Sequence, residues 1–189
     1  MEFKNKLEQD CFQIAHEIVA NNGSVTIEHN KKICLDWSGK RNQITFSGLP
    51  SKEIDVLSLN LLETSGIYLL ASCKYFEKSR CSTTYIQEWG NVVDVFNRNN
   101  VGKTYFGLVV SSTGFQRGCE SWAMQNNLGL TPPYKGKTIQ WRYDVVLKMF
   151  RRTITAYVKT VGKDWKRFKR DSSFYWDVFK LTSDLEYEI

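Results

Sequence analysis

Two ionisable residues stand in otherwise apolar stretches of this sequence. Asp55 lies between Ile54 and Val56, and Lys74 ends the apolar run IYLLASCK, which begins at residue 67. A carboxylate or an ammonium group is costly to bury unless it is paired or holds a metal ion. These two residues therefore predict either a salt bridge that ends a sheet or a metal-dependent active site. Residue type and spacing leave both interpretations open.

The alternation of side chains along a strand decides which residues can act with Lys74. A period of two puts Ser72 and Lys74 on one face of the strand, and Ala71 and Cys73 on the other. The segment Glu63-Thr64-Ser65-Gly66 predicts a turn just before this strand. A hairpin through this turn would bring the strand that contains Asp55 beside the strand that ends in Lys74.

The surrounding pattern predicts an α/β fold. Apolar residues at helical spacing predict helices over residues 4–22, 83–98 and 115–127. The unbroken apolar run from Tyr105 to Val110 is typical of a strand inside a sheet that is covered on both faces. Short strands, the first five of them forming an antiparallel meander, are predicted over residues 25–28, 33–37, 43–46, 54–61, 66–73, 105–110 and 128–130.

Other kinds of chemistry find little support in the residues. The chain has two histidines, His16 and His29, too few to assemble a Ser-His-Asp or Cys-His arrangement with confidence. It has no Gly-x-Gly-x-x-Gly and no Gly-x-x-x-x-Gly-Lys motif, which argues against nucleotide cofactors. Its five cysteines are scattered and form no Cys-x-x-Cys pair, so we expect buried thiols, without disulfides or zinc.

The net charge of +6 is unevenly distributed. Residues 1–134 are neutral overall, residues 135–170 hold 12 basic and 2 acidic side chains, and residues 171–189 hold 1 basic and 5 acidic. A basic block of this density favours a surface that faces phosphate. Its aromatic residues also suit a helix that packs one face on a core. The segment Thr131-Pro132-Pro133-Tyr134 marks the joint, which predicts a core over residues 1–134 and a mainly helical, basic extension over residues 135–189 that packs on it.

The sequence resembles the Mrr-type branch of the PD-(D/E)xK restriction-endonuclease-like superfamily. The first two matching blocks, Glu53 to Leu57 (EIDVL) and Leu69 to Phe76 (LLASCKYF), look like the two active-site strands of that branch. Three later blocks follow its helix, strand and helix in the same order: Ile86-Gln87-Glu88, Phe106 to Phe115 and Gly118 to Leu128. The resemblance implies a mixed sheet flanked by helices and a metal-dependent cleavage of DNA.

One position departs from the family pattern. The second strand of the superfamily normally carries Glu, Asp or Gln two residues before the lysine, and this chain has Ser72 there. A known variant of the superfamily reads Ser-x-Lys and takes its carboxylate from the following helix, 14 residues after the lysine. In this chain that residue is Glu88. Glu17 on the first helix is a weaker candidate for an assisting carboxylate, since the family register falls nearer Gln13.

The resemblance assigns a role to each candidate residue. Asp55 and Glu88 would hold Mg²⁺ or Mn²⁺, and Lys74 would contact the phosphate and the attacking water. Ser72 would at most position a water or the lysine. The basic block, with Lys163, Lys166, Arg167, Lys169 and Arg170, would contact double-stranded DNA.

Three functions compete at this stage. The first is a restriction endonuclease of type II or type IV character, the second a nuclease-fold protein that binds nucleic acid without cutting it, and the third an interaction module in which residues 135–170 form a core helix or a dimer interface. A homodimer is compatible with the first, because cutting both strands at one site usually needs two active sites. No apolar run reaches the roughly 18 residues that span a bilayer, and no signal peptide is recognisable, so we expect a cytoplasmic protein.

Overall fold

The computed structural model describes residues 3–21, 25–28, 58–61, 66–99, 102–134 and 141–168. Leu7, Cys11, Ile14 and Ile18 recur at helical spacing and form the buried face of the first helix, whose N-terminus is capped by Asn5. In chain order the elements are α1 (Lys6–Ala20), β1 (Val25–Glu28), β2 (Ser58–Leu61), β3 (Ile67–Lys74), α2 (Thr83–Asn99), β4 (Thr104–Ser111), α3 (Cys119–Gln125), β5 (Leu128–Thr131) and α4 (Tyr143–Phe168).

The strands form one mixed sheet in the order β1-β2-β3-β4-β5. The first three are antiparallel neighbours, and β3, β4 and β5 are parallel. The predicted meander is wrong in its order, since it would pair residues 25–28 with the next strand along the chain, whereas β1 pairs with β2. Parallel neighbours need a crossover connection, and α2 and α3 supply it. The predicted α/β fold class is confirmed. The predicted strands over residues 33–37 and 43–46, and the first part of the strand predicted over residues 54–61, lie outside the described residues.

Helices cover both faces of the sheet. On one face, Leu69, Ala71 and Cys73 of β3 pack with buried residues of α1 and α4. On the other face, Leu70 and Val109 pack with buried residues of α2, together with Phe115 and two residues of α3. The period of two predicted for β3 is thus confirmed, and β4 lies inside the sheet as expected.

Two glycines determine how the elements meet. A Cβ atom on Gly107 of β4 would lie 2.3 Å from Cδ1 of Leu128 and 2.7 Å from Cγ2 of Val93, so glycine allows α2 to approach the sheet closely. The helix predicted over residues 115–127 is shorter than expected. Phe115 instead forms a β-bridge with Cys81, and Gly118, with φ of 93°, precedes the first turn of α3.

The basic block contains α4, a helix with two different faces. Val146, Phe150, Ile154 and Tyr157 are buried against the rest of the core, as the core-helix interpretation of its aromatic residues expects. Lys148, Arg152 and Lys159 are exposed. Within the described part of the chain, no helix combines the length and the apolarity needed to cross a membrane.

Candidate active site

The candidate active site lies at the edge of the sheet where the parallel strands β3 and β4 end. Lys74 is the last residue of β3 and lies opposite Ser111, the last residue of β4. Ser72 lies two residues earlier on β3 and is buried. Because Leu69, Ala71 and Cys73 face α1 and α4, Ser72 and Lys74 share the face that is covered by α2. The carboxyl ends of parallel strands are a usual place for ligands in α/β folds.

The ammonium group of Lys74 lies against the first turn of α2. Its Nζ atom is 5.5 Å from the centre of the Tyr85 ring, at cation–π distance. Burial, with a contribution from nearby Cys119, raises the pKa of Cys81 to about 12, while the positive charge of Lys74 opposes this increase. Lys74 therefore places its charge between the end of β3 and the N-terminal turn of α2.

Glu88 occupies an exposed position on α2, one turn beyond Tyr85. Residues three apart on a helix are neighbours, with about 5–6 Å between their Cβ atoms. Glu88 is therefore the surface neighbour of the ring that faces Lys74. The core face of α2, formed by Ile86, Trp89 and Val93, fixes the rotation of the helix that puts Glu88 there.

Hydrogen bonds hold together the two loops that leave this edge. The Ser112 hydroxyl accepts a hydrogen bond from the backbone N–H of Phe76 and donates one to its carbonyl, both at 2.7 Å. The backbone N–H of Ser112 donates to the Lys74 carbonyl at 3.1 Å. Thr113 donates to the Ser79 carbonyl at 2.6 Å. The backbone that carries Lys74 is thus fixed to the end of β4.

A cavity of about 450 Å³ opens at the same edge, toward α1 and α4. We call it the edge cavity. It begins one residue after Lys74 on β3 and one residue after Ser111 on β4. Its lining consists of aromatic, hydroxyl and charged side chains: Lys6, Tyr75, Phe76, Glu77, Ser112, Thr113, Trp141 and Tyr143.

The aromatic wall of the edge cavity is held in place from α1. The Tyr143 hydroxyl donates to Oδ2 of Asp10 at 2.9 Å, and Nζ of Lys6 lies 5.4 Å from the centre of the Tyr143 ring. Burial raises the pKa of Tyr143, and the hydrogen bond to Asp10 raises it further. Tyr75 meets Tyr143 edge to face, with ring centres 6.5 Å apart.

The described residues do not by themselves supply the expected metal ligands. Among them, no group of three or more His, Cys, Asp or Glu side chains could hold a metal ion. Asp55, like Glu53, lies outside the described residues. In the sequence, Asp55 stands three positions before Ser58, the first residue of β2. The start of β2 is on the same side of the sheet as the end of β3, since Ser58 pairs with Leu70 in antiparallel register.

The other carboxylate and thiol candidates have structural partners or are buried. Glu17 is exposed on α1 and accepts a hydrogen bond from Arg151 of α4. His16 is also exposed on α1. The four described cysteines are buried thiols, as expected: Cys11, Cys73, Cys81 and Cys119.

A row of basic residues on α4, which we call the basic stripe, lies opposite its buried face. Its described side chains are those of Lys148, Arg152 and Lys159, and Lys163 and Lys166 belong to it by helix position alone. At 3.6 residues per turn these positions fall within about 60° of one another and span about 27 Å. The first three side chains are exposed, and the positions of Lys163 and Lys166 continue the helix.

Lys148 and Arg152 were not among the predicted DNA contacts, although their four-residue spacing opposite the apolar positions is a signal that can be read from the sequence. Arg167 belongs to α4 but lies beside the stripe. Lys169 and Arg170 lie outside the described residues.

Comparisons with known proteins add little to this geometry. No protein-family model matches the chain, and no curated protein sequence matches it with significant similarity. Among solved structures, the chain is similar to the crystal structure of a protein of unknown function, AF1548. That similarity has a TM-score of 0.45 and 12% sequence identity, and it covers 93% of this chain and 97% of the other.

Proposed function

We propose that this protein is a metal-dependent DNA endonuclease of restriction type, a Ser-x-Lys variant of the Mrr-type branch of the PD-(D/E)xK superfamily. One observation carries the proposal. Lys74 stands at the end of a buried strand, against Tyr85, and Glu88 is one helical turn away from that ring. This is the neighbourhood that the Ser-x-Lys variant requires, with the carboxylate 14 residues after the lysine.

The order of the elements also supports the proposal. After β3 the resemblance implies a helix, a strand and a helix, and the chain has α2, β4 and α3 in these positions. The second matching block begins in β3, and its antiparallel neighbour β2 follows the first block directly in the sequence. We therefore assign a restriction-endonuclease-like fold to the mixed sheet.

The residues would divide the chemistry of phosphodiester hydrolysis among them. Lys74 would donate a hydrogen bond to a phosphate oxygen and offset the negative charge that develops in the transition state. Ser72, buried on the same face, would support the position of the lysine.

The metal would be held by Asp55 and Glu88. Bound Mg²⁺ or Mn²⁺ would polarise the phosphate and lower the pKa of a coordinated water. The described residues contribute one of these two carboxylates, Glu88, so the proposal depends on Asp55 as the second ligand.

The basic stripe of α4 would bind double-stranded DNA. Lys148, Arg152 and Lys159 project from the face opposite the core, where burial does not compete with phosphate contacts. A row of about 27 Å covers several phosphates of a duplex, because each strand has one phosphate per about 3.4 Å of the helix axis. The same helix could pack on the core and bind DNA, because its buried face and its basic face lie on opposite sides.

A second candidate function is DNA binding without cleavage. It is favoured by Ser72, which stands where the superfamily normally has a metal ligand. In that case Lys74 would serve only to end the sheet. Both candidates keep the basic stripe, so DNA binding alone does not separate them.

Plasmid cleavage separates the two functions. The parent should cut plasmid DNA with Mg²⁺ and stop when a chelator is added, and Lys74→Met should abolish cutting while DNA binding persists. Lys103→Met is a matched control, because Nζ of Lys103 also lies 5.5 Å from a tyrosine ring, that of Tyr68, at the opposite end of β3 and β4. DNA binding without cutting in the parent would contradict the nuclease and support the second candidate.

A further inference from the structure

The edge cavity has the properties of a binding site that the proposed cleavage chemistry does not use. Cavities of about 300–1,000 Å³ commonly hold small molecules, and this one has about 450 Å³. Two of its walls come from the loops that follow Lys74 and Ser111, and the third comes from the N-terminal ends of α1 and α4. A ligand in the cavity would therefore lie beside the candidate active site.

The lining favours a flat ring as the ligand. Tyr75 is 44% exposed, although large aromatic side chains usually bury more of their surface, and Trp141, which also lines the cavity, is partly buried. Gly114 lets Trp141 approach closely, since a Cβ atom at Gly114 would lie 2.6 Å from Cδ1 of the indole. Aromatic side chains that remain accessible at a cavity form platforms on which nucleobases stack.

The charged side chains of the cavity lining are Lys6 and Glu77. Lys6, at the N-terminal end of α1, can hold an anion there, whereas Lys74 lies against Tyr85 on the face of the sheet that α2 covers. A ligand that combines a flat ring with a phosphate would satisfy both parts of the lining.

We propose that the edge cavity binds one nucleotide of a DNA strand, with its base against Tyr75 and Trp141 and its phosphate near Lys6. This inference rests on the proposed function in taking DNA as the partner. A base reaches such a cavity only when it has left the duplex stack or belongs to a single strand. The cavity would then make the protein sensitive to unpaired nucleotides close to the cleavage position.

Titration calorimetry with deoxyadenosine monophosphate, in the presence of a chelator, tests the site without any cleavage. Tyr75→Ala should lower the affinity about tenfold, since stacking of a base on an aromatic side chain is removed. Met124→Ala is the control, because Met124 is similarly exposed but does not line the cavity. Lys6→Gln should lower the affinity for the nucleotide. It should leave the affinity for deoxyadenosine, which has no phosphate, unchanged. Equal affinities of the parent and Tyr75→Ala would overturn the proposal.

A strand of single-stranded DNA that contains the fluorescent base 2-aminopurine distinguishes a nucleotide of DNA from a free nucleotide. Stacking on Tyr75 should quench its fluorescence in the parent and not in Tyr75→Ala. Binding of the free nucleotide without this quenching would overturn the assignment to DNA. Both measurements are made without metal and do not depend on cleavage. A parent protein that fails to cut plasmid DNA would therefore contradict only the proposed nuclease activity. A parent protein that fails to bind the nucleotide would contradict only the proposal for the edge cavity.

Discussion

The hydroxyl of Ser112 makes hydrogen bonds to both backbone polar atoms of Phe76, a residue 36 positions earlier in the chain. Each bond is 2.7 Å long, and Ser112 is buried. The pair joins the end of β4 to the residue that follows Tyr75. The position of the Lys74 backbone therefore depends on a residue that carries no chemistry of its own.

Ser112→Ala should lower the free energy of unfolding by about 1–3 kcal/mol, because both backbone atoms of Phe76 are deprived of a buried partner. It should also reduce plasmid cleavage, since the loop after Lys74 is no longer attached to β4. Urea unfolding followed by circular dichroism measures the first effect. The control Ser121→Ala removes an exposed hydroxyl on α3 and should change the free energy by less than about 0.5 kcal/mol. Equal losses in the two variants would contradict the role given to Ser112.

Glu88→Ala should reduce cleavage by orders of magnitude if this carboxylate has replaced the one missing at Ser72. Asp94→Ala is the matched control, because Asp94 is an exposed carboxylate on the same helix and pairs with Arg98. The measurement is the rate of plasmid cleavage at saturating Mg²⁺. If Glu88→Ala cuts as fast as the parent, Glu17 or Glu53 becomes the better candidate for the second ligand.

The double change Ser72→Glu with Glu88→Ala should restore part of the cleavage. Ser72 is 1% exposed, so a carboxylate there is costly unless a cation neutralises it. The double variant should therefore unfold more easily than the parent in chelator, and Mg²⁺ should raise its free energy of unfolding. A double variant that gains no stability from Mg²⁺ would show that position 72 does not face the metal.

Changing Lys148 and Arg152 to Gln should weaken DNA binding and reduce its dependence on salt. The slope of log K against log salt should fall by about 0.9 for each phosphate that the protein no longer neutralises. The double change Arg98→Gln with Lys103→Gln removes the same charge elsewhere on the surface and should leave the slope closer to that of the parent. Fluorescence anisotropy with a labelled duplex measures both. Similar slopes in the two variants would indicate a diffuse electrostatic effect without a defined stripe.

Stability should fall in alkaline solution, partly through Tyr105. Burial, with a contribution from Tyr68, raises its pKa from 10 to about 12. The folded state therefore holds a proton that the unfolded state releases, so this contribution is complete below pH 10 and is lost between pH 10 and pH 12. Between about pH 10 and pH 11, the free energy of unfolding of Tyr105→Phe should fall by about 1 kcal/mol less than that of the parent. Tyr75→Phe, at an exposed position, is the control. Parallel losses in the parent and Tyr105→Phe would contradict this assignment.

Local patterns in the sequence were sufficient for much of the fold. The alternation around Ser72 and Lys74 predicted their shared face, because a buried strand permits only one phase of the pattern. The late start of α3, at Cys119, was missed because Phe115 is as compatible with a helix as with a bridge, and its partner Cys81 is distant in the sequence. The edge cavity was missed for the same reason. Lys6, Tyr75 and Trp141 come from three separate segments, and no local pattern connects them.

The structure confirms that the basic block contains a helix with one face on the core, and the surface that faces phosphate stays a prediction. The spacing of Phe150 and Tyr157 predicted a buried face, and the number of basic residues predicted an exposed one. A row of Lys148, Arg152 and Lys159 opposite the buried face forms only if one continuous helix carries all three residues. The structure has such a helix in α4. The pairing of Asp55 with Lys74 or with a metal stays a prediction.

The contacts between α1 and α4 have a consequence for synthesis of the chain on the ribosome. Asp10 bonds with Tyr143 and Glu17 with Arg151, across 133 and 134 positions. At about 5–20 residues per second, roughly 7–28 s pass between the emergence of α1 and that of residue 158. During this interval α1 can cover the sheet face formed by Leu69, Ala71 and Cys73, but α4, which covers the same face, is still absent. Nascent chains are therefore expected to need protection from aggregation until α4 has left the exit tunnel.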